Sequence, residues 1–179
     1  MSFDQKIQLA NTIGTWLAAI ATFVAVLVSL YLARASSKIN VRVLAGIRVT
    51  FEGSEPRHYF GVNVTNKADK NVVITGIGWR IGKKKDVQYC IQPFYSPLSA
   101  KVPITLQYGE SSSFLIPIGN EELNDWFVPF AEGFVKSFDE KHLKTLKLWV
   151  ETSVGERVVL SPEQNFIKKL KEFSHTRDA

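Results

Sequence analysis

The chain contains 179 residues, of which 45% are hydrophobic, and its 22 Lys and Arg against 17 Asp and Glu give a formal net charge of +5. This length fits one ordinary domain with an additional segment, and the apolar and aromatic content excludes an intrinsically disordered chain. The single cysteine, Cys90, excludes an intramolecular disulfide framework and is typical of a protein in a reducing compartment.

The first element is an uncharged apolar stretch, residues 13–33, which predicts a transmembrane helix. At about 1.5 Å per residue the stretch matches the roughly 30 Å hydrocarbon core of a bilayer. Trp16 and Tyr31 lie near its two ends, where aromatic side chains favour the membrane interfaces. A cleaved signal peptide is the alternative, because Ala33-Arg34-Ala35 resembles a cleavage site. The stretch is nevertheless longer than a signal core, and no basic leader precedes it.

The flanking charges predict the orientation of this helix. The short N-terminal segment 1–12 carries Lys6, whereas Arg34, Lys38, Arg42 and Arg48 follow the helix. Since positive charge favours the cytoplasmic side, we expect the N-terminus outside and the remainder, after a hinge at 34–38, in the cytoplasm of a bacterial cell. The predicted location is therefore the bacterial inner membrane, with a single pass.

One face of the predicted helix carries small and hydroxyl-bearing residues at alternating steps of three and four. Such residues allow two helices to approach closely in lipid, where hydrophobicity itself does not drive association. The sequence therefore predicts a homo-oligomer formed through the helix stripe, which we define as Thr15, Ala18, Thr22, Ala25 and Ser29.

Residues 39–161 change to a period of two, which is typical of β-strands, and no helices alternate with the strands. The prediction is a mainly β fold built as an antiparallel β-sandwich, in which Ala45-Gly46 forms a bulge or bend. The predicted strands are 39–51, 59–65, 71–81, 86–92, 104–107, 112–116, 143–152 and 156–160, the last two forming a hairpin.

Two segments carry a family resemblance: VNVTNKADKNVVITGIGW and, further along, PITLQYGESSSFLIP. Over residues 39–117 the chain resembles bacterial immunoglobulin-like domains, in which a strand ends in a Thr-Asn turn and a Gly-Glu-Ser stretch precedes a later strand. The resemblance implies an immunoglobulin-like sandwich, with Trp79 as a candidate core tryptophan.

Two helices are predicted within and after the strands. The first is an inserted aromatic helix with Asn120 as its N-cap and a kink or break at Pro129. Its apolar face, which includes Trp126 and Phe130, either covers the sandwich or contacts a membrane surface or a partner's groove. The second is an amphipathic C-terminal helix within 162–179, which begins after Ser161 with Pro162 as its first residue.

The sequence presents no catalytic constellation. Its three histidines lie far apart without metal-ligand spacing, and Cys90 in an apolar strand fits a small core residue, so we expect no enzymatic activity, no cofactor and no metal. Basic residues form a candidate membrane-surface patch, namely Arg80, Lys83, Lys84 and Lys85, with a second basic group on the last helix. No recognisable nucleic-acid module accompanies these charges, so direct nucleic-acid binding is not expected.

The layout of a membrane helix joined to a compact cytoplasmic domain resembles the small transmembrane effectors of bacterial antiphage systems, including retron-associated ones. That resemblance, of architecture alone, implies a toxin-like effector that perturbs the membrane when a protein partner or nucleoprotein sensor from the same operon signals. The alternative is a passive membrane anchor or adaptor whose β-sandwich binds another protein.

Overall fold

The computed structural model describes residues 3–36, 39–52, 55–83, 86–94, 96–119 and 126–177. The chain divides into two compact units, residues 1–38 and 39–179. The fold as a whole is mixed, with 37% helix and 36% strand, so the expectation of a mainly β chain is corrected. One long helix contributes much of the helical share, because it alone contains 34 residues.

The first unit is helix α1, Phe3–Ser36. It extends beyond the predicted segment at both ends and includes most of residues 1–12 together with Arg34 to Ser36 of the expected hinge, whereas residues 37–38 lie outside the described residues. Among the described residues α1 is the one helix long and apolar enough to cross a membrane, and none of its apolar window is buried.

The described residues of the second unit form eight strands in two antiparallel sheets, with the orders β1-β2-β6 and β4-β3-β7-β8 and with β5 also paired to β3. The strands are β1 Val41–Glu52, β2 Glu55–Asn66, β3 Val72–Ile81, β4 Gln88–Ile91, β5 Ile104–Leu106, β6 Ser111–Pro117, β7 Lys147–Thr152 and β8 Arg157–Leu160. Alternating apolar residues explain these strands, and the predicted β7–β8 hairpin is confirmed.

A core of large aromatic residues joins the two sheets. We call it the aromatic cluster: Phe60 of β2, Trp79 of β3, Trp126, Phe130 and Phe166. The ring centroids of Phe60 and Trp79 are 5.0 Å apart, and those of Phe60 and Phe166 are 4.6 Å apart. Trp79 is fully buried and its indole Nε1 donates to Gln92 Oε1 at 2.9 Å, so its polar atom is satisfied inside the core.

The predicted aromatic helix is shorter and less regular than expected. Helix α2 covers Phe127–Pro129 and continues directly as a π-helical segment, Phe130–Val135. Pro129 cannot donate a helical hydrogen bond, and Lys136 N donates to Ala131 O across five residues before the chain leaves the helix with a positive φ at Lys136. The predicted N-cap, Asn120, lies outside the described residues.

The start of one strand and the regularity of another also differ from expectation. The start of the predicted strand 143–152 instead belongs to helix α3, Glu140–Leu143, because Leu143 and Leu146 are both buried at helical spacing and Thr145 Oγ1 donates to His142 O at 2.7 Å. No bulge occurs at Ala45-Gly46, since these residues pair in continuous register with Val62 and Gly61.

Helix α4, Gln164–Arg177, packs on the exposed edge of β1. The Asn165 side chain satisfies the backbone groups of Ile47 on this edge strand. Its Oδ1 accepts from Ile47 N and its Nδ2 donates to Ile47 O, both at 3.1 Å. Arg48 reaches the Glu163 carboxylate through two hydrogen bonds, of 2.5 and 2.8 Å. Gly46 permits this approach, because a Cβ there would collide with the Glu163 side chain.

The Arg48–Glu163 pair predicts a pH-dependent part of the stability. The hydrogen bond from Arg48 lowers the pKa of Glu163 below its ordinary 4.5, so the contribution is present above that pH and is lost as pH falls through the folded-state pKa. Because both side chains are about one-third exposed, we expect Glu163→Gln to cost no more than about 1 kcal/mol of unfolding free energy at pH 7. Urea unfolding of wild type and Glu163→Gln, from neutral to acidic pH, measures this difference in unfolding free energy.

The matched control for this prediction is Glu140→Gln, which removes an exposed ion pair between Glu140 of α3 and Lys144 and is expected to shift the unfolding midpoint much less. The midpoints of wild type and Glu163→Gln should converge at acidic pH. A difference that persists unchanged after Glu163 is protonated would show that the pair does not stabilise α4 on β1.

Candidate functional site

The helix stripe lies on exposed α1, where its hydroxyl groups bond to the helix's own backbone. Thr15 Oγ1 donates to Asn11 O and Thr22 Oγ1 to Ala18 O, both at 2.9 Å, and Ser29 Oγ donates to Ala25 O at 2.8 Å. Their donors are therefore satisfied within one helix, and the stripe offers a close-packing surface rather than free hydroxyl donors. Its role in self-association stays a prediction.

The predicted membrane-surface patch is only partly described. Lys83 is exposed in the turn after β3, Arg80 is half-buried on β3, and Lys84 and Lys85 lie outside the described residues. The Nε atom of Arg80 is buried without a hydrogen-bond partner. Contact with a membrane surface through Lys83 stays a prediction.

Of the two aromatic residues predicted for a membrane surface, Phe130 lies in the core and Trp126 packs against it. Phe130 is only 4% exposed, with its ring centroid 4.6 Å from that of Trp126 and 4.8 Å from that of Trp79. Trp126 is half-buried and stacks on Phe60 at 5.7 Å. The expectation of a surface contact through Phe130 is corrected, because a bilayer cannot reach this ring while the core is packed; the alternative, that the aromatic face covers the sheets, describes the structure.

Strand pairing creates a third surface, the side of the β4-β3-β7-β8 sheet that faces away from the core. We call it the outer face: Gly78, Arg80, Tyr89, Ile91, Lys147, Trp149, Glu151, Arg157 and Val159. The strand register places Tyr89, Arg80 and Lys147 in one row across three strands. The next row contains Ile91, Gly78, Trp149 and Val159.

The Trp149 side chain lies against the sheet on the outer face. Its ring lies against Gly78, where any Cβ would overlap it, and its Nε1 donates to Trp79 O at 3.2 Å. The Arg157 guanidinium covers the ring at 4.8 Å from its centroid and pairs with Glu151 at 2.8 Å. Gly78 of β3 is the sequence signal for this packing, since glycine in a strand marks close approach of another group.

Metal or nucleophilic chemistry at the described residues would depend on clustered acidic, histidine or cysteine side chains. Among them, no three His, Cys, Asp or Glu side chains lie close enough to hold a metal ion. Burial raises the pKa of the Cys90 thiol, which disfavours the nucleophilic thiolate. A cleft of about 910 Å³ lies beside Gly82, and there His142 Nε2 lies 3.0 Å from the Val135 carbonyl oxygen rather than being oriented by a carboxylate.

Comparisons with known proteins leave the family open. Neither a family model nor a curated protein matches the chain. Among solved structures, a Bordetella pertussis protein provisionally named ApaA is similar over 70% of this chain and 89% of its own, at 12% sequence identity and a TM-score of 0.32.

Proposed function

We propose that the chain is a single-pass membrane protein whose folded unit recognises a protein partner. The observation that carries the proposal is the exposed apolar window of α1, which has no core to bury it. An apolar surface of this length is unfavourable in water and is stabilised by lipid hydrocarbon. The charge difference between Lys6 and the residues from Arg34 onward supports an N-terminus outside and a cytoplasmic folded unit of a bacterial inner-membrane protein.

The proposed folded unit is an immunoglobulin-like sandwich. If the strands are lettered along the chain, the two sheet orders read A-B-E and C′-C-F-G, with β6 as strand E and β7 and β8 as strands F and G; β5, which pairs with β3, lies outside these two orders. The buried Trp79 lies on the third strand, the position of the core tryptophan in immunoglobulin domains. Domains of this architecture serve many binding functions, so the fold alone does not identify the partner.

The favoured output is perturbation of the membrane, as in a toxin-like antiphage effector. In this proposal a partner or nucleoprotein sensor holds the folded unit inactive until it signals infection, and α1 then self-associates through the helix stripe. Support comes from the layout of the chain and from the small, internally hydrogen-bonded surface of the stripe.

Expression of the chain in cells tests this output. We expect expression without its partner to depolarise the inner membrane, and replacement of Ala18, Thr22 and Ala25 by Leu to abolish depolarisation by preventing close helix approach. Membrane potential is followed with a voltage-sensitive dye, and alkaline extraction verifies insertion. As a matched control, Leu replaces Ile20, Val24 and Val28, which lie largely away from the stripe; this variant should depolarise as wild type does.

The second candidate function is a passive anchor or adaptor. It needs only a helix long and apolar enough to span the bilayer, which α1 provides without any specific helix face. Harmless expression under every condition, including phage challenge, would contradict the effector and leave the adaptor. Release of the intact chain from membranes by alkaline extraction would contradict both.

A further inference from the structure

We propose that the outer face binds an extended acidic segment of a partner protein, with Arg80 pairing a carboxylate of that segment beside Tyr89 and Ile91. This inference rests on the proposed partner-binding function and names the chemistry of the partner.

The first support is the unmatched charge of Arg80. Its guanidinium is always protonated, and its half-buried position removes part of the water that would otherwise solvate it. The buried Nε has no hydrogen-bond partner, and no ion pair joins Arg80 to a carboxylate within the part of the chain that the structure describes. The side chain is only half-buried, so its exposed part remains open to a partner, and a carboxylate is the geometric complement of a guanidinium.

The neighbours of Arg80 do not provide this carboxylate. Its two register partners are Tyr89 and Lys147, and the Lys147 ammonium donates to Ser161 Oγ at 2.5 Å. Glu151, two residue positions further along β7 from Trp149, is engaged by Arg157. The row around Arg80 is therefore positive and complements an acidic partner.

The second support is the edge strand β4, which among the described strands pairs only with β3. Its sequence, Gln-Tyr-Cys-Ile, contains neither a charge nor a proline that would discourage strand addition. Tyr89 and Ile91 are 60% and 75% exposed on the same side as Arg80. Such an edge matches an extended peptide, whose backbone adds hydrogen bonds while alternate side chains contact the face.

The spacing of the strands allows one segment to pair with the edge of β4 and to place a carboxylate beside Arg80 at the same time. A strand added beside β4 would lie two inter-strand steps, or about 9–10 Å, from β3. The long side chains of Arg80 and of a Glu on the added strand together span that distance. A lipid headgroup offers charge but no backbone to pair with β4, which is why the two observations together favour a peptide.

Selection from a displayed random-peptide library tests the proposal with the full chain in phosphatidylcholine nanodiscs. We expect the enriched peptides to carry Asp or Glu flanked by apolar residues. Arg80→Glu should weaken their affinity at least about tenfold, because it places like charges together. The control Arg42→Glu makes the same charge change at an exposed position of β1 and should leave affinity within about twofold.

A second variant guards against misfolding of Arg80→Glu. Ile91→Asp changes a largely exposed side chain, so its fold should persist while it repels the same acidic peptides. Exchanging Glu for Lys in an enriched peptide should restore binding to Arg80→Glu. Failure to enrich any peptide, enrichment without acidic residues, or equal binding by wild type, Arg80→Glu and Ile91→Asp would overturn the proposal.

Hydrogen exchange distinguishes a lipid occupant from a peptide. The β4 amides should become protected when an enriched peptide is added in phosphatidylcholine nanodiscs. Protection caused by phosphatidylserine nanodiscs alone, with no peptide binding, would assign the face to lipid and overturn the inference. Membrane extraction is a separate measurement, so a failure of the proposed anchoring is distinguishable from a failure of this surface.

Discussion

Trp79→Ala is expected to destabilise the folded unit by about 3–5 kcal/mol, a large fraction of the roughly 5–15 kcal/mol by which native proteins are stable. Trp79 is fully buried between the two sheets and contacts Phe60, Phe130 and Phe166 of the aromatic cluster. Its truncation leaves a cavity and also removes the donor that satisfies the buried Gln92. Pulse proteolysis of the full chain in detergent, across a urea series, measures the change in the unfolding midpoint.

The matched control for Trp79→Ala is Tyr108→Ala, which removes a large aromatic side chain that is 68% exposed. Its effect should remain within about 0.5 kcal/mol. Trp79→Phe should give an intermediate loss, because most of the ring volume remains while the hydrogen bond to Gln92 does not. Equal midpoints for wild type and Trp79→Ala would show that the aromatic cluster does not hold the sheets together.

The strands were predictable because their burial follows a period of two. In β6, for example, Phe114 and Ile116 are buried while Ser111 and Ser113 are exposed, and this alternation is visible in the sequence. The C-terminal helix was predictable from the apolar residues that recur after Pro162, of which Phe166 and Leu170 are fully buried, although the helix begins at Gln164 and not, as expected, at Pro162.

The boundaries that failed depend on tertiary contacts. Leu143 and Leu146 fit either the end of a strand or a helical turn, and only the buried surface that they share selects the helix. Gly46 suggested a bulge, but the glycine is required by the approach of Glu163 from a helix far along the chain. Phe130 presented an aromatic pattern that suits both a core and a membrane surface.

The candidate site was least predictable where it depends on strand register. Arg80, Tyr89 and Lys147 are distant in sequence and become one row only when β3 lies between β4 and β7. In the sequence, Arg80 and the lysines that follow it suggested a solvated membrane patch. The half-buried position of Arg80 and its unpartnered Nε are visible only in the folded structure. The helix stripe, in contrast, follows from helical spacing alone.

The double substitution Val24→Arg and Leu27→Arg is expected to release the chain from membranes. Both side chains lie near the middle of the apolar stretch and are exposed on α1, so lipid is their expected environment. Each arginine at a bilayer centre costs about 2.5–3.5 kcal/mol by insertion scales. The favourable insertion energy of the apolar residue that it replaces is also lost, so the pair costs about 6–8 kcal/mol. Alkaline extraction followed by immunoblotting measures the fraction retained.

Val24→Leu with Leu27→Val is the matched control, because it changes the same positions while keeping them apolar, and its retention should equal that of wild type. Intact mass of the wild-type protein separates anchoring from secretion, since a cleaved signal peptide would remove the residues up to the Ala33-Arg34-Ala35 site. An uncleaved double-arginine variant that stays fully membrane-bound would contradict the role of α1 as the anchor. Such a result would assign membrane retention to the folded unit, where the exposed Lys83 and the outer face are the surfaces to substitute next.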